Sequence, residues 1–227
     1  MMVRGRALAL ALASAALLAA CASAPAGTYF APPGDPATAR MASTLHRAAF
    51  TAGDDPSRYS FAFVKSPVAA VYSDEDACFF FTEGLMRLPD QVVDPMVAHE
   101  VAHEVLGHVS WRRTLSLTLS AGFGVLGLMV PGAGLIDFVV NPLVVRAFSR
   151  RQELDADRKA VEILRGMGYP APRRTLAEAL RRVDVTYPKP KEELAGLLSA
   201  QPELEERLQR LEPLEPATPF ANAGGRR

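Results

Sequence analysis

Three of the four histidines in this 227-residue chain fall within ten residues, in the run His99-Glu100-Val101-Ala102-His103-Glu104-Val105-Leu106-Gly107-His108. The first five residues form an H-E-x-x-H pattern. On an α-helix, side chains at i and i+4 lie one above the other, so the His99 and His103 imidazoles can converge on one metal ion. Glu100 stands one position round the helix, within reach of a water molecule at that ion. Two neutral nitrogens on Zn²⁺, with a carboxylate to take the proton from the attacking water, are the working parts of a zinc hydrolase. The competing reading is a pair of structural histidines on one helix face, and the rest of the chain decides between the two.

A second cluster, Glu153-Leu154-Asp155-Ala156-Asp157, lies downstream. Glu153 is available as a third metal ligand. Asp157, at i+4 on the same face, can accept the second N–H of a ligating histidine and so fix its tautomer and ring orientation. Taken alone, such a patch is more often a solvated helix face; downstream of H-E-x-x-H it becomes the best source of a third ligand. His108 falls nearly opposite His99 on a continuous helix and is not counted as a ligand. At metzincin spacing, a third histidine would fall on Val109 and the glycine on Leu106, which disfavours that class.

These groups need two helices to hold them. For the first, Asp94 is a plausible N-cap and Pro95 suits the first helical position, while Arg112 and Arg113 near its end complement the macrodipole. Met96, Val97, Val101, Val105 and Val109 should bury it. The second runs from Ser149 to about Gly166, with Gly166, Gly168 and Pro170 as terminators. Upstream, residues from about Ala37 to Phe50 have helical spacing that ends near Gly53-Asp54-Asp55-Pro56, with His46 as a solvated helical residue. Tyr59, Phe61 and Phe63 alternate as in a half-buried strand. Val68 to Tyr72 and Ala77 to Thr82 are two more short strands around the acidic turn Ser73-Asp74-Glu75-Asp76. Downstream, helices are expected around Arg173 to Val183, Glu192 to Ser199 and Pro202 to Leu211. The fold class is therefore α+β, predominantly helical, with a small antiparallel sheet of about three strands beside the H-E-x-x-H helix.

The N-terminus speaks to location. Met1 to Arg6 carries two arginines, and Ala7 to Ala20 is apolar apart from Ser14, which is an export signal too short to span a bilayer. It ends in Leu18-Ala19-Ala20-Cys21, which resembles the lipobox of bacterial lipoproteins, where the cysteine is acylated and becomes the new N-terminus. The expected organisation is a signal peptide over 1–20, a lipidated Cys21 with an Ala-, Pro- and Gly-rich tether over 21–36, a catalytic domain over 37–212 and a disordered tail over 213–227. With Cys21 acylated, Cys78 is the remaining thiol, no intrachain disulfide can form, and Cys78 reads as a small buried hydrophobe. Removal of residues 1–20 leaves 23 basic residues against 25 acidic ones, a balance that gives no support to a nucleic-acid partner. Thr114 to Ile136 carries no charge and is long enough to cross a membrane. Its glycines, hydroxyl residues and Pro131-Gly132 favour instead an apolar hairpin that packs beside the site or dips into the bilayer surface.

Taken together, the chain resembles the HtpX-like and prenyl-protease-like gluzincin metallopeptidases, most closely their periplasmic lipoprotein branch, over about Phe61 to Leu211. The resemblance rests on Phe81-Thr82-Glu83-Gly84-Leu85, on His99-Glu100-Val101-Ala102-His103 with His108 beyond it, and on Glu153-x-Asp155-Ala156-Asp157. It implies a zincin-like domain that binds one Zn²⁺ per chain through His99, His103 and Glu153, with Glu100 as general base, Asp157 behind a ligand, and peptide-bond hydrolysis as the reaction. The strand ending at Thr82 is the expected edge for an extended substrate. Two positions depart from relatives: Ala69-Ala70-Val71 stands where many carry an Asn-Ala-Phe-like segment, and Gln201-Pro202, ahead of Glu206-Arg207, where many carry His-Pro. The expected protein is a zinc endopeptidase on the periplasmic face of the outer membrane, since Ala22 replaces the aspartate that retains lipoproteins at the inner membrane. Its expected partners are the membrane, through the lipid, and misfolded or stalled envelope polypeptides, with the outer-membrane assembly machinery as a further partner to consider. The alternatives are a metal-bearing scaffold with little proteolysis, or an integral membrane protease that uses 114–136 as a span.

Overall fold

The computed structural model describes residues 25–32, 34–74, 77–111, 114, 148–186 and 204–216. In chain order the elements are β1 (Thr28–Tyr29), α1 (Pro36–Ala52), a 3-10 turn (Pro56–Arg58), β2 (Ser60–Val64), β3 (Val71–Asp74), β4 (Cys78–Thr82), α2 (Glu83–Met86), α3 (Asp90–Val105), α4 (Arg150–Gly166), α5 (Pro172–Asp184) and α6 (Leu204–Leu211). The architecture is α+β and zincin-like, with helices packed around α3 and a small sheet beside it.

The sheet has four strands in the order β1-β2-β4-β3, and it is mixed. β2 and β4 run parallel, with Phe61 opposite Phe79 and Phe63 opposite Phe81, while β1–β2 and β3–β4 are antiparallel. This corrects the expectation of an antiparallel sheet of about three strands. β1 is two residues inside the expected tether, too short for any alternation to register. It is held by the Tyr29 and Phe63 rings, 5.7 Å apart, and by the Lys65 N–H donating to Gly27 at 3.1 Å. The parallel pairing follows from packing across the sheet: Phe61 meets Phe81 edge-on at 5.6 Å and Tyr59 stacks on Phe79 at 5.5 Å. β4 is thus a central strand whose Phe79 and Phe81 are fully buried. It cannot be an edge; among the described strands the edges are β1 and β3.

The turn from β4 into α2 has a specific backbone demand. The Thr82 hydroxyl accepts from the Leu85 N–H at 3.2 Å and so caps α2. The Gly84 N–H donates to Ser66 at 2.9 Å, and a Cβ on Gly84 would sit 2.2 Å from the Pro67 carbonyl oxygen. A side chain there would force the two segments apart.

α3 starts at Asp90 behind Pro89, not at the Asp94–Pro95 pair. Asp94 is buried inside the helix and ties it to its neighbours: it accepts from the Thr44 hydroxyl at 3.0 Å, from the Tyr169 hydroxyl at 2.7 Å and from Arg47. An Asp-Pro pair has the composition of a helix start, but here the carboxylate is satisfied by α1 and by the chain after α4. Val92, Val93, Val97, Ala98, Val101 and Ala102 are all buried, so α3 is enclosed on nearly every side by α1, α4, α5 and β3. The helix ends at Val105. Leu106 and Gly107 form a turn, with Gly107 at φ 70°, before one more helical turn over 108–111.

α4 begins with a capping box in which Ser149 and Gln152 exchange hydrogen bonds. Its far end packs against α1 so closely that a Cβ on Gly166 would lie 2.3 Å from Thr51 Cγ2. After α6 the chain stays attached: Leu214 packs on the core, and the Glu215 carboxylate accepts from the Arg173 and Arg174 N–H groups at 3.3 and 3.0 Å. Contacts with the folded body therefore continue past 213, the expected start of the tail. The signal peptide with Cys21, residues 115–136 of the apolar segment, Arg112 and Arg113, the helix expected over Glu192 to Ser199, and Gln201-Pro202 lie outside the described residues. Among the described residues no helix is long and apolar enough to cross a membrane.

Candidate metal centre

Side-by-side packing of α3 and α4 brings His99, His103 and Glu153 together in the core, each almost wholly buried. His99 Nε2 lies 3.1 Å from His103 Nε2 and 3.3 Å from Glu153 Oε2, and His103 Nε2 lies 3.7 Å from Glu153 Oε1. For ligands about 2.0–2.1 Å from a tetrahedral zinc, geometry requires donor–donor edges of about 3.3 Å. The two distances from His99 Nε2, 3.1 and 3.3 Å, match that length, and His103 Nε2 meets the other Glu153 oxygen at 3.7 Å, so these donors fit a metal of this kind. Among the described residues they form a buried group able to hold an ion.

Glu100 turns towards the sheet. Its Oε2 accepts from both the Ser73 N–H, at 3.1 Å, and the Ser73 hydroxyl, at 2.7 Å, on edge strand β3. Behind the donors, Asp157 Oδ1 lies 3.0 Å from His99 Nδ1. Asp157 is also gripped by Arg207 of α6, whose Nε and Nη2 donate at 2.8 and 2.6 Å, and Arg207 Nη1 lies 3.5 Å from Glu153. Burial favours the neutral acid at Asp157, but hydrogen bonds from Arg207 and His99 outweigh it and hold its pKa at about 2. At His99, burial and the Arg207 charge disfavour protonation. Hydrogen bonds to Asp157 and Glu153 outweigh both and lift its pKa to about 9, so a metal binding there must displace that proton.

The pattern that defines peptidase family M48 matches residues 36–215, most of the chain and all of this site. The chain belongs to peptidase family M48. It is therefore a metallopeptidase, and His99, His103 and Glu153 are donors that can hold its metal ion. No curated protein matches the chain.

Three further contacts of the M48 centre come from residues that local spacing did not single out for it. Ser73 and Arg207 reach Glu100 and Asp157 across 27 and 50 residues of sequence. Phe148, just ahead of α4, stacks on the His103 ring at a centroid distance of 3.6 Å. His108 differs from the sequence reading in place though not in role. The Gly107 turn ends the helix, so His108 does not continue round to the face opposite His99. Its Nδ1 comes to 3.1 Å from His103 Nδ1, the nitrogen turned away from the donor group, where it can orient the ring but not join the ligands. Of the other cysteine and histidine assignments, Cys78 is a free, half-buried thiol in β4 and His46 is exposed on α1.

Proposed function

We propose that this M48 peptidase is a zinc-dependent endopeptidase, held to the periplasmic face of the outer membrane by a lipid on Cys21, which hydrolyses misfolded or stalled envelope polypeptides. The observation that carries the catalytic part is the buried His99, His103 and Glu153 donor group on α3 and α4, with Glu100 next to His99 on the same helix. When bound there, zinc supplies a Lewis acid that polarises the scissile carbonyl and makes water a better nucleophile at neutral pH. The chain's own residues do the rest. Glu100 takes a proton from the attacking water and returns it to the leaving amine. Asp157 holds the His99 Nδ1 proton, which leaves Nε2 as the ligand atom. The α1, α4, α5 and β3 walls keep bulk water from α3, which strengthens every charge interaction at the site.

Support for an extended polypeptide substrate comes from β3. It is an edge strand running beside Glu100, and an incoming strand can add to such an edge through main-chain hydrogen bonds. Support for the lipid anchor comes from the sequence Met1 to Cys21. The burial of more than one acyl chain, at about 0.8 kcal/mol per CH₂, anchors a protein stably.

The Glu100→Gln variant tests the catalytic reading. It should retain zinc yet lose cleavage of an unfolded substrate by about 10²-fold or more; undiminished turnover would contradict it.

A further inference from the structure

We propose that the Ser73 hydroxyl is the group that positions Glu100 for proton transfer, acting from the edge strand and not from the helix that carries the base. This rests on the peptidase reading above and adds a residue to it. Ser73 is nearly fully buried, and a buried hydroxyl needs a partner. The hydroxyl donates to Glu100 Oε2 at 2.7 Å. The backbone N–H of the same residue converges on the same oxygen at 3.1 Å. Two donors on Oε2 hold that end of the carboxylate against the edge strand.

The two donors are not equivalent. Ser73 sits opposite Phe79 in the β3–β4 ladder, and its N–H points out of the sheet towards α3. Alternate residues of an antiparallel pair direct their backbone groups outward, and those are the groups that an added strand uses. An extended substrate on β3 therefore competes with Glu100 for the Ser73 N–H. It does not compete in the ladder for the side-chain hydroxyl. The hydroxyl is the anchor that survives substrate binding, when the base must be held in place. A base displaced by about 1 Å costs on the order of 10²-fold in rate.

The test uses full-length, zinc-loaded protein and fluorescein-labelled β-casein as the probe, with Ser73→Ala and Ser73→Thr made in both the Glu100 and the Glu100→Ala backgrounds. Ser73→Ala keeps the backbone N–H and loses the hydroxyl. Its kcat should fall about ten- to a hundredfold, the range for a hydrogen bond to a charged group, with KM and zinc content unchanged. Ser73→Thr should recover most of that loss. Without Glu100, the Ser73→Ala change should cost no further activity. Melting temperatures of the zinc-free variants supply a readout independent of turnover: the loss caused by Ser73→Ala should be larger with Glu100 present than in the Glu100→Ala background. An unchanged kcat, a loss that tracks zinc content, or equal melting losses in both backgrounds overturns the proposal. Absence of cleavage by the zinc-loaded wild type instead overturns the peptidase reading, and the melting cycle still decides whether the hydroxyl holds Glu100.

Discussion

Asp157 shows how one carboxylate can serve both stability and chemistry. It is nearly fully buried, yet it stays charged because His99 Nδ1 and the Arg207 guanidinium both face it. Asp157→Asn keeps the shape but weakens both contacts, and a side chain of the same shape with a weaker acceptor no longer fixes the His99 tautomer. Zinc affinity should fall about 10- to 100-fold, measured by competition with a chromophoric chelator, as for other losses behind a ligating histidine. An unchanged affinity would show that the His99 ring is oriented by something else. At this scale, His99, His103, Glu153 and Asp157 are legible in the sequence because each pair is a local i,i+4 relation on one helix. Ser73, Arg207 and Phe148 are not, because nothing local links them to the site. They arrive there only once β3, α6 and the entry to α4 pack against α3.

Among the elements, α5 illustrates a cap supplied from a distance. Ala171 precedes it and provides no side-chain acceptor, so the first-turn N–H groups of Arg173 and Arg174 turn to the Glu215 carboxylate beyond α6. Burial opposes the charge on Glu215, but its own backbone N–H, those of Arg174 and Arg173, and the Arg173 guanidinium outweigh it and hold its pKa below the ordinary value. A depressed carboxylate stabilises the fold above its unfolded pKa and loses that contribution as pH falls through its folded value. Glu215→Gln should therefore cost about 0.5 kcal/mol near neutral pH, the low end for a cap because water screens a partly exposed carboxylate. Read from urea midpoints, the cost should vanish in strong acid, once the carboxyl is protonated in both states. A cost that persists unchanged at low pH would contradict this origin. The same scale explains the misplaced start of α3 and the sheet order. Asp94-Pro95 carries the right residue types for a helix start, and only Thr44, Arg47 and Tyr169 reveal that the helix runs through it. Strand existence is readable from alternation, but strand order depends on which aromatic faces meet across β2 and β4.

For the molecule as a whole, α3 is the buried axis to which the sheet edge and α4 bring the reacting groups. The proposed lipid would tether this body at the membrane without requiring any described helix to enter it. Cys21→Ser should release the protein from membranes on carbonate extraction; retention in the pellet would point to a second membrane contact. The proposed zinc site, one ion on His99, His103 and Glu153, is what would make this M48 chain a working peptidase. Its most direct test is stepwise return of zinc to chelator-stripped protein while cleavage of a disordered polypeptide is followed. Cleavage should be absent at the start, rise in proportion to added zinc and level off at one equivalent per chain. Cleavage that persists in the stripped protein, or that stays absent once one equivalent is bound, would contradict a zinc-dependent peptidase.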